Sequence, residues 1–141
     1  MAQMYTNDLG FSKVYPMKKK SKTSDTLTTF IHDVGIPHAI HSDDAKELLQ
    51  GPFKQICKDY GIPCTYTKPY SPWQNRVEGG IRELKHHVHC KMTIKRIPQR
   101  LWDICCKWSC KIRNKSANSL YQLQGRTPFE AVMQKNLTSL P

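Results

Sequence analysis

A chain of 141 residues, 38% of them hydrophobic, has room for a single lean core. Its 22 Lys and Arg against 11 Asp and Glu leave a formal net charge of +11, which favours a polyanionic partner, because neutralising phosphates releases condensed counterions. Nucleic acid suits that charge better than an anionic membrane surface, and with no apolar run of about 18 residues and no leader-like start the expectation is a nuclear or cytoplasmic protein, neither membrane-spanning nor secreted.

Met4 to Thr6 reads as a strand, Asn7 to Gly10 as a turn and Phe11 to Tyr15 as a second strand stopped by Pro16, which together predict a hairpin. The lysine-rich stretch from Lys18 to Lys22 is a charged connector or, alternatively, a nuclear import signal. Leu27, Phe30, Ile31 and Val34 then recur at helical spacing behind a Ser24 or Asp25 cap, ending at Gly35. Ala39 and Ile40 predict a short buried strand leading into Asp43 and Asp44. Phe53, Ile56, Cys57 and Tyr60 mark a second helix closed by Gly61, and Cys64 to Thr67 another strand. Beyond a loop from Lys68 to Gln74, Asn75 caps a long helix running to about Thr93. Leu101, Trp102, Cys105, Trp108, Ser109 and Ile112 predict a further helix with a wide apolar face. Thr127 and Pro128 open a last short helix. Strands alternating with helices define an α/β class, divided into a core over 1–124 and a C-terminal segment over 125–141.

Two acidic positions carry the chemistry. Asp43 stands at the end of a strand, and Glu78, 35 positions later, in the first turn of a helix. Such carboxylates can share a hard divalent cation, Mg²⁺ or Mn²⁺, and basic residues near both suggest phosphodiester chemistry. The plainer reading is that Asp43 and Asp44 cap the helix after them while Glu78 occupies an exposed first turn.

Four stretches in order decide between these. They are Gly35-Ile36-Pro37 leading to Ser42-Asp43-Asp44-Ala45-Lys46-Glu47; Tyr70-Ser71-Pro72-Trp73-Gln74-Asn75-Arg76-Val77-Glu78; Pro98 to Trp102; and Gly125 to Glu130. Together they resemble the integrase catalytic core of copia-type long-terminal-repeat retrotransposons. The resemblance implies a ribonuclease-H-like mixed sheet flanked by helices, with Mg-dependent transfer of element DNA to target DNA. It makes Asp43 and Glu78 the second and third carboxylates of an Asp, Asp, Glu triad that holds the metal. Asp44 falls where the family usually has Asn, Gly79 where many relatives have Arg, and Arg76 where many have Gly. The first triad Asp would precede the hairpin, on the central strand of the sheet. Asp8, in the hairpin turn, is too close to Asp43 for that role, so the resemblance implies a core truncated before its first strand and marginal or inactive alone, with unpaired strand edges open to self-association.

Along the last part of the chain Asn75, Arg76, Arg82 and Lys85 are the candidate nucleic-acid contacts, followed by Lys91, Lys95, Arg96 and Arg100, with Glu83 as the opposing charge. Tyr70 and Trp73 suit either base stacking or packing beneath their loop. The six cysteines are expected as thiols, and the sequons at Asn114 and Asn136 as chance matches. His86, His89 and Cys90 share a helical face, as do Cys106 and Cys110, which makes a zinc site conceivable; cysteines among Trp102, Trp108 and Ile112 equally suit a core. Three functions are therefore carried forward: an integrase-core fragment that binds DNA, a catalytically inactive nucleic-acid-binding remnant, and a small zinc-binding interaction module.

Overall fold

The computed structural model describes residues 1–43, 48, 50–67, 76–117 and 123–138, the side chains of Arg76 and of 135–138 excepted. The expected hairpin is present as β1 (Ala2–Thr6) and β2 (Ser12–Pro16). Its turn is built by Asn7, whose Oδ1 accepts the backbone N–H of Leu9 (3.0 Å) and of Phe11 (2.9 Å). Asn7 N–H bonds to Phe11 C=O and Met17 N–H to Met1 C=O. In that register the N–H and C=O of Ser12 point away from β1, to the outer edge of the hairpin.

The charged connector ends in a 3₁₀ turn at Lys20–Lys22 that runs directly into α1 (Thr23–Val34). Neither Ser24 nor Asp25 caps this helix; both lie inside its first turn, and Lys22 is the residue before it. Its end is as expected: Gly35 takes φ +111°, which side-chain-bearing residues avoid, and returns its N–H to Ile31 C=O. β3 (Ile40–Ser42), α2 (Pro52–Asp59) and β4 (Cys64–Tyr66) follow. β3 and β4 are parallel, in the register Ile40 to Cys64, His41 to Thr65 and Ser42 to Tyr66, and a parallel pair needs the crossover that α2 supplies. Tyr60, expected on the buried stripe of α2, instead ends that helix and is half exposed; Gly61 (φ +64°) makes the turn back.

The rest is helical: α3 (Arg76–Ile94), a 3₁₀ turn at Gln99–Leu101 leading into α4 (Trp102–Asn114), and α5 (Pro128–Thr138). α5 opens with a reciprocal cap. Glu130 N–H donates to Thr127 Oγ1 and Thr127 N–H to Glu130 Oε2 (2.8 Å). Among the described residues the strands form two separate pairs, β1 with β2 and β3 with β4.

Two compact units share this mixed α/β architecture: Met1–Gln3 with Tyr15–Gly79, and Met4–Val14 with Gly80–Pro141. In the first, α1 packs on α2, and Leu27, Leu48, Phe53, Cys57 and Ile62 are buried. In the second, Met4, Phe11 and Val14 of the hairpin and Leu84, Val88 and Met92 of α3 are buried, together with Cys106 and Cys110 of α4 and with Leu123 and Ala131. A Cβ on Gly80 would stand 3.2 Å from Met4 Cε, so the absence of a side chain there lets hairpin and helix approach.

The buried face of α4 matches the expected one only in part: of the expected residues Ser109 is buried and Leu101, Trp102 and Cys105 are half-buried, but Trp108 and Ile112 are exposed. Cys106, Ser109, Cys110 and Asn114 turn inward, whereas Ile104, Trp108 and Ile112, spaced i, i+4, i+8, stay exposed, Trp108 at 59%. Asn114 explains the choice. Its Oδ1 accepts Ser12 N–H (2.8 Å) and its Nδ2 donates to Ser12 C=O (2.7 Å), pairing the outer edge of β2 as another strand would.

Candidate functional site

Asp43 follows β3 directly and is exposed. The peptide before it is fixed from β4's side: Ser42 C=O accepts both the backbone N–H of Thr67 (2.8 Å) and its hydroxyl (3.3 Å). His41 lies across the same junction, with Nδ1 2.9 Å from Thr65 Oγ1 and Nε2 3.1 Å from Thr67 Oγ1. A strand end held by three side-chain hydrogen bonds presents the next residue in a defined direction. This clamp was not anticipated from the sequence, although Thr65 and Thr67 alternating along a short strand were the visible signal.

Glu78 lies in the first turn of α3 and is exposed. The unpaired N–H groups and dipole of a helix start favour a carboxylate there. Asp43 and Glu78 both belong to the first compact unit. Asp44, Tyr70, Trp73 and Asn75 lie outside the described residues, and Arg76 is described only as the first residue of α3. Asp8 occupies the hairpin turn, exposed, in the second unit. Among the described residues no group of three or more His, Cys, Asp or Glu is arranged to hold a metal ion.

Arg82 and Lys85 follow on α3, both exposed, and among the described residues neither meets a carboxylate. Glu83, the acid between them in sequence, is taken by Arg113, whose Nη2 lies 2.6 Å from Glu83 Oε2 while Nη1 donates to Gly80 C=O. Lys91 is also engaged: its ammonium donates to Ser109 Oγ (3.2 Å) and sits 5.3 Å from the Trp108 ring centroid. It therefore supports packing, unlike Lys95, Arg96 and Arg100, which are exposed.

The cysteines divide by burial. Burial pushes the Cys57 thiol up to about 12, with a hydrogen bond to Cys64 adding to it, and pushes Cys110 up to about 11. Cys110 donates to Ser12 C=O (3.1 Å). Cys106 and Cys110 are thus core thiols, and among the described residues they join no group of three or more side chains that could hold a metal ion.

No protein-family model matches the sequence, and no curated protein matches it. Solved structures do. The integrase catalytic core domain of HTLV-2, solved in complex with magnesium in a dimeric form, superposes with a TM-score of 0.71 at 16% identity, over 93% of this chain and 82% of that one. The catalytic core domain of BIV integrase gives 0.67 at 21% identity, over 90% and 79%. A simian T-cell lymphotropic virus intasome in complex with a PP2A regulatory subunit gives 0.71 at 17%, over 94% of this chain and 52% of that one. The fold is therefore that of an integrase catalytic core, mixed α/β and ribonuclease-H-like.

Proposed function

We propose that this chain is a nucleic-acid-binding integrase-type core of the copia class, in which Asp43 and Glu78 are the metal-binding carboxylates. The observation that carries the reading is local. An integrase-core fold presents one acid at the exit of a short parallel strand and a second in the first turn of the long helix, each within a motif resembling that class.

Both carboxylates are exposed oxygen donors, which suits Mg²⁺ or Mn²⁺. Bound there, the cation would polarise a phosphodiester and activate the attacking 3′-hydroxyl of an element end toward target DNA. The protein's own share is orientation. Thr67 and His41 fix the peptide that carries Asp43, the first turn of α3 carries Glu78, and Arg82 and Lys85 offer cations to the strand's phosphates. Self-association is the expected assembly. The exposed stripe of Ile104, Trp108 and Ile112 supplies an apolar surface for it, and the HTLV-2 core is solved in a dimeric and a trimeric form.

The test is a Mn²⁺ titration followed by a DNA nicking and strand-transfer assay on the purified chain, with Asp43→Asn and Glu78→Gln. The reading expects each variant to lose at least about 10-fold in metal affinity. A second reading, DNA binding without catalysis, is favoured by the lack of a third metal-ligating side chain among the described residues. Salt-sensitive DNA binding that is indifferent to metal and to both substitutions would select it.

A further inference from the structure

His86 and Cys90 stand one turn apart on α3, on the side away from the buried row of Leu84, Val88 and Met92. His86 is exposed and Cys90 half-buried, so both are reachable from solvent. His86 Nε2 lies 3.6 Å from Cys90 Sγ. A tetrahedral zinc ion, with Zn–S about 2.3 Å and Zn–N about 2.0–2.1 Å, holds a sulfur and a nitrogen ligand about 3.6 Å apart. The two atoms already have the spacing of two vertices of that tetrahedron.

We propose that His86 and Cys90 form a bidentate half-site for a zinc-like cation, and that two copies of the chain meet there to complete a His₂Cys₂ centre. Two ligands do not make a structural zinc site, and no third His, Cys, Asp or Glu among the described residues joins them. A second copy supplies the same pair through a twofold contact, in which each residue faces its own counterpart. The centre itself is neutral. Zinc binding displaces one proton from each Cys90 thiol, so two thiolates cancel the dication, and the joint adds no positive charge between chains that each carry +11. Ligand softness separates this centre from the carboxylate site, since thiolate and imidazole select zinc over Mg²⁺.

The experiment uses the full chain, purified under reducing conditions and stripped of metal, and does not depend on DNA chemistry. Co²⁺ is titrated as a spectroscopic probe, then displaced by Zn²⁺, with molar mass followed by light scattering. The expected result is thiolate-to-cobalt charge transfer with the intense visible bands of tetrahedral cobalt. Binding should saturate at one metal per two chains, with the mass doubling from the metal-free value and returning on chelation. Cys90→Ser should abolish the charge transfer, and either Cys90→Ser or His86→Ala should weaken zinc binding about 100-fold. His87→Ala, one position away, should change neither, and circular dichroism checks that each variant is folded. Charge transfer that persists in folded Cys90→Ser, saturation at one metal per chain with no change in mass, or no cobalt spectrum at all would each overturn the proposal.

Discussion

Replacing Asn114 with Ala removes both hydrogen bonds to the outer edge of β2. Asn114 is 5% exposed and Ser12 1%, so water does not readily take the place of the lost amide. The consequences for the two Ser12 groups differ. Its C=O keeps the Cys110 thiol as a donor, whereas its N–H loses its acceptor. An orphaned buried N–H costs about 1–3 kcal/mol, and one further hydrogen bond is worth about 1 kcal/mol net. Asn114→Ala should therefore destabilise by about 2–4 kcal/mol, a large share of the roughly 5–15 kcal/mol of an ordinary domain. Urea unfolding followed by tryptophan fluorescence measures this directly. Asn114→Asp separates hydrogen bonding from packing, because it keeps the size and the acceptor but sets a carboxylate against the Ser12 carbonyl. The introduced carboxyl is driven to hold its proton when folded, so its folded pKa lies above its unfolded value. Stability is then highest below the unfolded value and lost as pH rises through the folded one. A loss under about 0.5 kcal/mol for Asn114→Ala, or an Asn114→Asp variant that gains stability as pH rises, would refute the strand-edge argument.

Thr67→Val should leave the fold intact and weaken Mn²⁺ binding several-fold in a calorimetric titration, because Ser42 C=O keeps the backbone bond but loses the hydroxyl that helps hold Asp43's approach. Substituting Arg82 or Lys85 with Gln should weaken DNA binding similarly across sequences and reduce the slope of log K against log salt by about 1 per cation removed; an unchanged slope would take that residue off the phosphate path. Trp108→Glu breaks the exposed stripe of α4 and the stacking of Lys91. It should lower self-association in sedimentation while costing only about 1 kcal/mol in stability. The raised Cys57 thiol has an alkaline signature. Its ordinary value of 9.0 applies to the unfolded chain and about 12 to the folded one, so its stabilising contribution is complete below about pH 9 and is lost as pH climbs toward 12. Unfolding measured from pH 8 to 10.5 should show falling stability, with a shallower fall in Cys57→Ala.

Turn and cap chemistry carried the legible part of the fold, because those signals depend on neighbours in sequence. Asn7 announced the hairpin, Gly35 and Gly61 the ends of two helices, and Thr127 with Pro128 the start of α5. What remained hidden depends on distant partners. The Ile104, Trp108 and Ile112 row has the periodicity of a core stripe, yet α4 buries the row through Cys106, Cys110 and Asn114 because Asn114 answers a strand edge 102 positions earlier. Thr23 and Thr26 are buried because their hydroxyls bond local carbonyls, Thr26 Oγ1 to Thr23 C=O at 2.7 Å, and so enter the core with their polar atoms satisfied.

The candidate site follows the same division. Asp43 and Glu78 could be picked out in the sequence because their proposed roles attach to ordered motifs, whereas the His41, Thr65 and Thr67 clamp depends on the register of β3 against β4, which no motif states. That clamp gives the site its own stability requirement. Both acids hang from backbone features of the first unit, a strand exit and a helix start, while the Asn114 contact belongs to the second. If carboxylate placement is local in this way, Asn114→Ala should lower the urea midpoint yet leave Mn²⁺ affinity in the folded protein unchanged, and Thr67→Val should do the reverse. Loss of metal affinity in folded Asn114→Ala would instead mean that the acids are positioned by the whole molecule rather than by the strand end and the helix start.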